Sequence, residues 1–347
     1  MYNNLFTYAT SELSQDAFIC WLLSHAMKDC NSDSALSDCA KEFIRFFIKD
    51  LKNEDVYLSK PPEKQYKSID VLITVNDKYK VIIEDKTHTA DHDNQLIRYR
   101  EIVQKDFDGY ECIGVYYITG FQSDLKNVSD AGYVICNRET ILAILKKYTT
   151  KIQNNIFLDY YNYLNEFDIR ANNFKNSSVA DWNWEQINGF YNYCQNNIDK
   201  DLKIGFGYVP NQTGGFWGMW LWNEIFINAD GLNCEVYLQC EFTNGNLNIC
   251  YRASSRNENN SNIKIQRKNR NALIWKNVNG NWENIAEKYN FRKPSRFGTG
   301  KSVALGVYNA DISTYEDACS ELKNAIDDFY KLVEEIKQQS KIMENML

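Results

Sequence analysis

Hydrophobic and polar positions change period several times along the chain. Over residues 14–27, Phe18, Trp21, Leu22 and His25 or Ala26 recur at helical spacing, and Ser14 stands where a cap belongs, so the pattern predicts an amphipathic helix. A second stripe of Leu36, Phe43, Phe46 and Phe47 predicts a helix from about Ser34 to Leu51, and Lys60-Pro61-Pro62 ends whatever precedes it. Ile69 to Val75 and Tyr79 to Glu84 are dense in Val and Ile, with Asn76-Asp77-Lys78 between them, which is a hairpin signal. Asp91 to Asn94 offers caps for a helix reaching about Lys105. Cys112 to Thr119 and Tyr133 to Cys136 read as strands, Arg138 to Tyr148 and residues 152–168 as helices. The order implies an α/β (α+β) sheet with helices beside it.

A polar, Asn-rich stretch from Arg170 to Ser178 marks a boundary between a domain over residues 1–170 and another over 179–347. Beyond it the texture is β-rich. A Trp-rich helix from Asp181 to Asn196 leads into strands at 203–209, 216–228, 233–243 and 246–253. A long helix from Thr314 to about Lys341, striped by Ala318, Leu322, Ile326 and Leu332, closes the chain.

Composition narrows the class. The 347 residues are 44% hydrophobic and 24% charged, and no run of about 18 apolar residues reads as a membrane span. Met1-Tyr2-Asn3-Asn4 lacks a basic region followed by an apolar one, so a cytoplasmic protein is expected. Ten cysteines include no C-x-x-C pair, and with three histidines they give little support to zinc; buried reduced thiols are the simpler expectation. Net charge is −7, yet residues 252–301 hold twelve Lys or Arg against three Glu, a local +9. That segment is either a polyanion-facing surface or a solvated basic face.

The hairpin carries the chemistry. A three-residue turn at 76–78 sets Asp70 opposite Glu84, two carboxylates whose Cβ atoms would be about 4.5–5.5 Å apart and which repel unless a cation lies between them. Side chains alternate along a strand, so Glu84 and Lys86 share a face and Asp85 points to the other. Oxygen ligands at this density suit Mg²⁺ or Mn²⁺.

Ile69-Asp70-Val71-Leu72-Ile73 followed by Val81-Ile82-Ile83-Glu84-Asp85-Lys86 resembles the core of the PD-(D/E)xK nuclease superfamily, with Ile69 in place of the proline. Gln95-Leu96-Ile97-Arg98-Tyr99 resembles the Q-x-x-x-Y element of RecB- and Cas4-like members. Thr10-Ser11-Glu12-Leu13-Ser14-Gln15-Asp16-Ala17-Phe18 resembles the N-terminal element of a bacterial subgroup in which a helix-borne Glu reaches the metal, Glu12 being the residue that matches. The resemblance covers residues 1 to about 150 and implies a restriction-endonuclease-like mixed sheet. It also implies Asp70, Glu84, the backbone carbonyl of Asp85 and Glu12 as metal ligands. Lys86 would position the attacking water, and Gln95 and Tyr99 would support Lys86 or contact the nucleic-acid strand. Asp16, Gln15 and Ser14 are read as structural, His88 as a loop residue, and His92, Asp91 and Asp93 as surface or capping residues.

The second half has no recognised catalytic motif. Arg267, Lys268 and Arg270 are its candidate phosphate contacts, and Phe216 to Trp220 reads as core or interface before a base-stacking platform. Gly298-Thr299-Gly300-Lys301-Ser302 lacks the first glycine of a P-loop. The reading is a metal-dependent deoxyribonuclease. A non-catalytic nucleic-acid- or protein-binding module on the same fold, or a ribonuclease, stays open. So does pairing through the C-terminal region with a second copy or a protein partner.

Overall fold

A computed structural model describes residues 3–29, 33–87, 94–198, 202–211, 214–255, 263–274, 288–298 and 300–344. His88, Asp91, His92, Asp93 and Thr299 lie outside the described residues. The chain divides into two compact units, Met1–Ile169 and Arg170–Leu347.

The first unit is built on a five-stranded mixed sheet, ordered β1 (Glu63–Tyr66), β2 (Ile69–Val75), β3 (Tyr79–Lys86), β4 (Glu111–Ile118), β5 (Tyr133–Asn137). β1, β2 and β3 pair antiparallel; β3, β4 and β5 pair parallel. Every residue of β3 is buried, as expected of a strand covered on both faces. On one face α2 (Glu12–Ser24), α3 (Ser34–Phe47), α6 (Arg138–Lys146) and α7 (Asn155–Asn172) bury Val71, Ile73, Val81, Ile83, Val115 and Tyr117. On the other, α4 (Gln95–Asp106) and α5 (Lys126–Asp130) cover Leu72, Ile82, Tyr116 and Ile118 through Leu96, Tyr99, Val103 and Val128. A short α1 (Leu5–Tyr8) precedes these elements. Ser11, not Ser14, is the N-cap of α2.

Some elements escaped the pattern. β1, Glu-Lys-Gln-Tyr, is too polar and short to read as a strand. It is fixed by a two-residue turn, Lys67 and Ser68, both at positive φ (49° and 72°), the geometry of a tight hairpin.

The second unit is a six-stranded antiparallel sheet. Its order is β10 (Phe291–Arg292), β11 (Ser302–Tyr308), β9 (Asn246–Ser255), β8 (Leu232–Thr243), β7 (Phe216–Ala229), β6 (Lys203–Val209). α8 (Trp184–Asn197) packs on β6 and β7, held at its start by a capping box between Asn183 and Gln186. α9 (Arg267–Ile274) lies by β7, and α10 (Tyr315–Glu344) packs on β9. Met219 and Leu221 of β7 are core residues, with Trp217 and Trp220 half-buried. No described helix is long and apolar enough to cross a membrane. The described cysteines are free thiols.

Candidate active site

The β2–β3 ladder runs from Val75↔Tyr79 to Val71↔Ile83, the register that the three-residue turn dictates. One step further along it, Asp70 lies across from Glu84. Here the backbone ladder stops and a side chain takes over: Asp70 Oδ2 accepts from the Asp85 N–H at 3.0 Å, and Asp70 Oδ1 accepts from Gln65 Nε2 at 3.3 Å. Glu84 is wholly buried, and Lys86, two residues on and therefore on the same face, is 8% exposed. Lys86 Nζ donates to Glu84 Oε1 at 2.5 Å.

α4 supplies the rest of that face. Gln95 and Tyr99 are one helical turn apart and point the same way. Tyr99 donates its hydroxyl proton to the Ser68 carbonyl at 2.6 Å. Gln95 Nε2 then gives one N–H to the Tyr99 oxygen at 2.8 Å and the other to Glu84 Oε1 at 2.9 Å. The tight Lys67–Ser68 turn thus sets the orientation of the Gln95 amide that holds Glu84. The resemblance gives Tyr99 as a support for Lys86 or a contact to the nucleic-acid strand; at 2% exposure, with its hydroxyl engaged, it is here a strut for Gln95.

Burial is the chief reason that the Glu84 carboxyl is pushed up to about 8, and the Asp70 carboxylate adds to it, outweighing Lys86. Burial alone would lower the Lys86 ammonium, but Glu84 and Asp70 more than offset it and leave it raised. Glu84 Oε1 has two donors; Oε2 is buried with no hydrogen-bond partner. Its neighbour Asp70 is itself an acceptor and can help only by sharing a proton.

α2 reaches the opposite face of the same strand end. Glu12 Oε1 accepts from the Thr87 N–H at 2.9 Å, which brings the N-terminal Glu to the residue following Lys86. Asp16 is expected from the sequence to be structural. It is four residues from Glu12, on the same face, 1% exposed, and its carboxyl is raised to about 6, by burial first and then by Asp70 and Glu12. Gln15 was set aside as well, yet its Nε2 donates to Asp85 Oδ1 at 3.1 Å and to Thr87 Oγ1 at 3.2 Å. Asp85 is fully buried on this side, its carboxyl raised well above the usual range by burial and then by Asp16 and Asp70. Only the backbone of Asp85 borders the Glu84 face. Ser14 is half-buried, and its hydroxyl meets Ser11 at 3.3 Å.

These residues stand in a stretch that a family comparison covers. A family model of the PD-(D/E)XK nuclease superfamily matches residues 3–203, more than half of the chain. The chain belongs to that superfamily. No curated protein and no solved structure matches it. Membership of the PD-(D/E)XK superfamily makes nucleic acid the substrate class and fits the mixed sheet with its flanking helices.

PD-(D/E)XK nucleases typically use divalent metal ions, and the residues present fit one. A buried carboxylate oxygen without a donor, beside a second carboxylate on the same face, calls for a cation. Among the described residues no three His, Cys, Asp or Glu side chains are already gathered at ion-holding distance; the ammonium of Lys86 is the cation at Glu84.

In the second unit the basic segment is partly neutralised by residues distant in sequence. Arg252 pairs with Glu241 at 2.5 Å, Lys268 with Asp230 at 3.4 Å, and Lys288 with Glu335. The local +9 overstates the field, because a window along the chain omits acids that are near only in space. Arg267 is exposed, and Arg270 is half-buried, donating to the Gly298 carbonyl at 3.2 Å beside the Phe297 ring.

Proposed function

We propose that the chain is a metal-dependent deoxyribonuclease whose active site is the α4-facing end of β3. The observation that carries this reading is Glu84: a fully buried carboxylate with one oxygen lacking any donor, on the same face as Asp70, its acid raised to about 8. Two ionised acids so placed repel each other, and a cation between them relieves that repulsion. Asp70, Glu84 and the backbone carbonyl of Asp85 would hold Mg²⁺ or Mn²⁺; Glu12, which comes to the end of the strand from the α2 side and accepts there from the Thr87 N–H, is the proposed further oxygen donor. When bound, such an ion polarises a phosphoryl oxygen and lowers the pKa of water.

The chain's own side chains do the rest. Lys86, which donates to Glu84 Oε1, would orient the attacking water and neutralise charge building on the phosphate. Gln95 keeps Glu84 Oε1 in place, and Tyr99 keeps Gln95 in place. Arg267 and Arg270 of the second unit are proposed phosphate contacts, with Lys268 shared between phosphate and Asp230.

The test is incubation of the protein with linear, circular and branched DNA and RNA, in Mg²⁺, Mn²⁺ or EDTA. Cleavage should need the metal, favour DNA, and disappear in Lys86→Ala and Asp70→Ala. Cleavage that survives both substitutions would remove the assignment, and binding without cleavage would favour a non-catalytic module on the nuclease fold.

A further inference from the structure

The end of β3 that carries Glu84 and Lys86 is supported asymmetrically. On one side the backbone pairs with β4 out to Lys86↔Ile118. On the other the β2 ladder ends at Val71↔Ile83, and side chains replace backbone as the partners of residues 85–87. Asp70 takes the Asp85 N–H, Glu12 takes the Thr87 N–H, and Gln15 takes the side chains of both Asp85 and Thr87.

Gln15 is the centre of that support. It is 6% exposed, and both ends of its amide are engaged. Nε2 donates to Asp85 Oδ1 (3.1 Å) and Thr87 Oγ1 (3.2 Å); Oε1 accepts from the Tyr160 hydroxyl at 3.2 Å. Tyr160 on α7 is fully buried, stacked on Phe18 with ring centroids 3.7 Å apart, and its oxygen lies 3.0 Å from that of Tyr117, the β4 partner of Asp85. Because Tyr160 gives its proton to Gln15, Tyr117 is the donor to Tyr160, and the chain of bonds has one direction. A buried polar network with its members paired in this way fixes one arrangement of its members.

We infer that Gln15 is a positioning residue of the active site: anchored by Tyr160, it grips Asp85 and Thr87 from the α2 face and so sets the backbone that presents Glu84 and Lys86 on the α4 face. The inference rests on the nuclease reading above. It commits the α2 turn to a role separate from that of Glu12, which accepts from the Thr87 amide. Shifts well under an ångström at Glu84 and Lys86 are enough to matter, since reactions of this kind depend on tight alignment of the reacting groups.

The experiment compares Gln15→Leu, which removes the donor and the acceptor, with Gln15→Glu, which keeps the shape and the acceptor but has no N–H to give. Tyr160→Phe is a milder third variant that removes only the anchoring hydroxyl. Two measurements are made on each full chain. Steady-state cleavage should lose about 10–100-fold in kcat, the range for residues that orient ligands from behind, while KM for DNA changes by no more than about twofold. Amide hydrogen exchange should quicken at residues 84–87 and stay unchanged at Val81–Ile83, which the two-sided ladder protects. Unchanged exchange at 84–87 overturns the inference whether or not the protein cleaves DNA. Quickened exchange with unchanged kcat overturns it too, leaving Gln15 a packing residue. Absence of cleavage by the wild type counts against the nuclease reading alone, and the exchange data then decide the clamp.

Discussion

Replacing Glu84 by Gln should make the protein more stable while destroying its activity, and the gain should depend on pH. The Glu84 carboxyl is raised in the fold from an ordinary 4.5 to about 8, chiefly by burial. The folded chain therefore keeps a proton that the unfolded chain releases between those limits. The stability contributed by the protonated acid is complete below about pH 4.5 and is lost as pH rises through about 8. At about 1.4 kcal/mol per tenfold change in an ionisation constant, the whole loss has a ceiling of about 5 kcal/mol, a large share of an ordinary folding free energy. Water entry and movement of Lys86 at the site should reduce it to about half of that. Glu84→Gln keeps the shape and cannot ionise. Its denaturant midpoint in EDTA, compared with wild type at pH 5, 7 and 9, should move ahead by a margin that widens with pH. Asp16 and Asp85 are raised as well and titrate in both proteins, so the difference between the two is the informative quantity. A difference that stays flat from pH 5 to 9 would refute the view that a strained, buried Glu84 carboxylate is the feature that calls for a cation.

Mg²⁺ affinity measured by calorimetry should rise with pH, by at most about tenfold per unit, and level off above about 8, because Glu84 must release its proton before it can ligate; an affinity indifferent to pH would take Glu84 out of the ligand set. Tyr99→Phe removes the bond to the Ser68 carbonyl and the acceptor for Gln95, so it should cost about 1–2 kcal/mol in a denaturation curve and lower kcat, with DNA affinity unchanged; weaker DNA binding would restore Tyr99 as a strand contact. Charge reversal at Arg267 and Arg270 should weaken DNA binding and flatten its salt dependence, by about 0.9 in the log–log slope for each phosphate no longer neutralised. Lys268→Glu alone should do less, because Lys268 already faces Asp230. Anisotropy titrations from low to high salt read both.

What the sequence made legible follows from short-range geometry. A three-residue turn fixes the β2–β3 register, and strand alternation then decides which of Asp70, Glu84, Asp85 and Lys86 share a face. Helical spacing likewise places Gln95 and Tyr99 together on α4. Neither rule says what meets a face once it is formed. The tie from Gln95 to Glu84 and the pairing of Arg252 with Glu241 join residues 11 apart in number, and Tyr160 meets Gln15 across 145. The short polar β1 carries no apolar period, and the α9 helix has apolar residues only in its last turn, so little in their composition marks them.

The α2 residues are the instructive case, because part of their role was visible. The buried positions of this helix are Gln15, Asp16, Phe18, Ile19, Leu22 and Leu23, a single stripe at intervals of three and four. Read from its apolar end, the stripe runs straight into two polar residues. A polar side chain on the extrapolated buried face of a helix must find a partner inside the protein or destabilise the fold. The helix itself begins earlier than predicted, at Glu12, and a stripe counted only over apolar residues starts at Phe18 and leaves Gln15 and Asp16 off it, although both fall inside the predicted helix. Continuing it by spacing would have marked both as inward-facing groups in need of a buried polar partner. The sheet end beneath them supplies one for Gln15, in Asp85 and Thr87. Asp16 Oδ1 has none, and that carboxyl is raised to about 6. Glu12, Gln15 and Asp16 therefore belong to one inward face, and the likeness that singled out Glu12 reached only the first of the three.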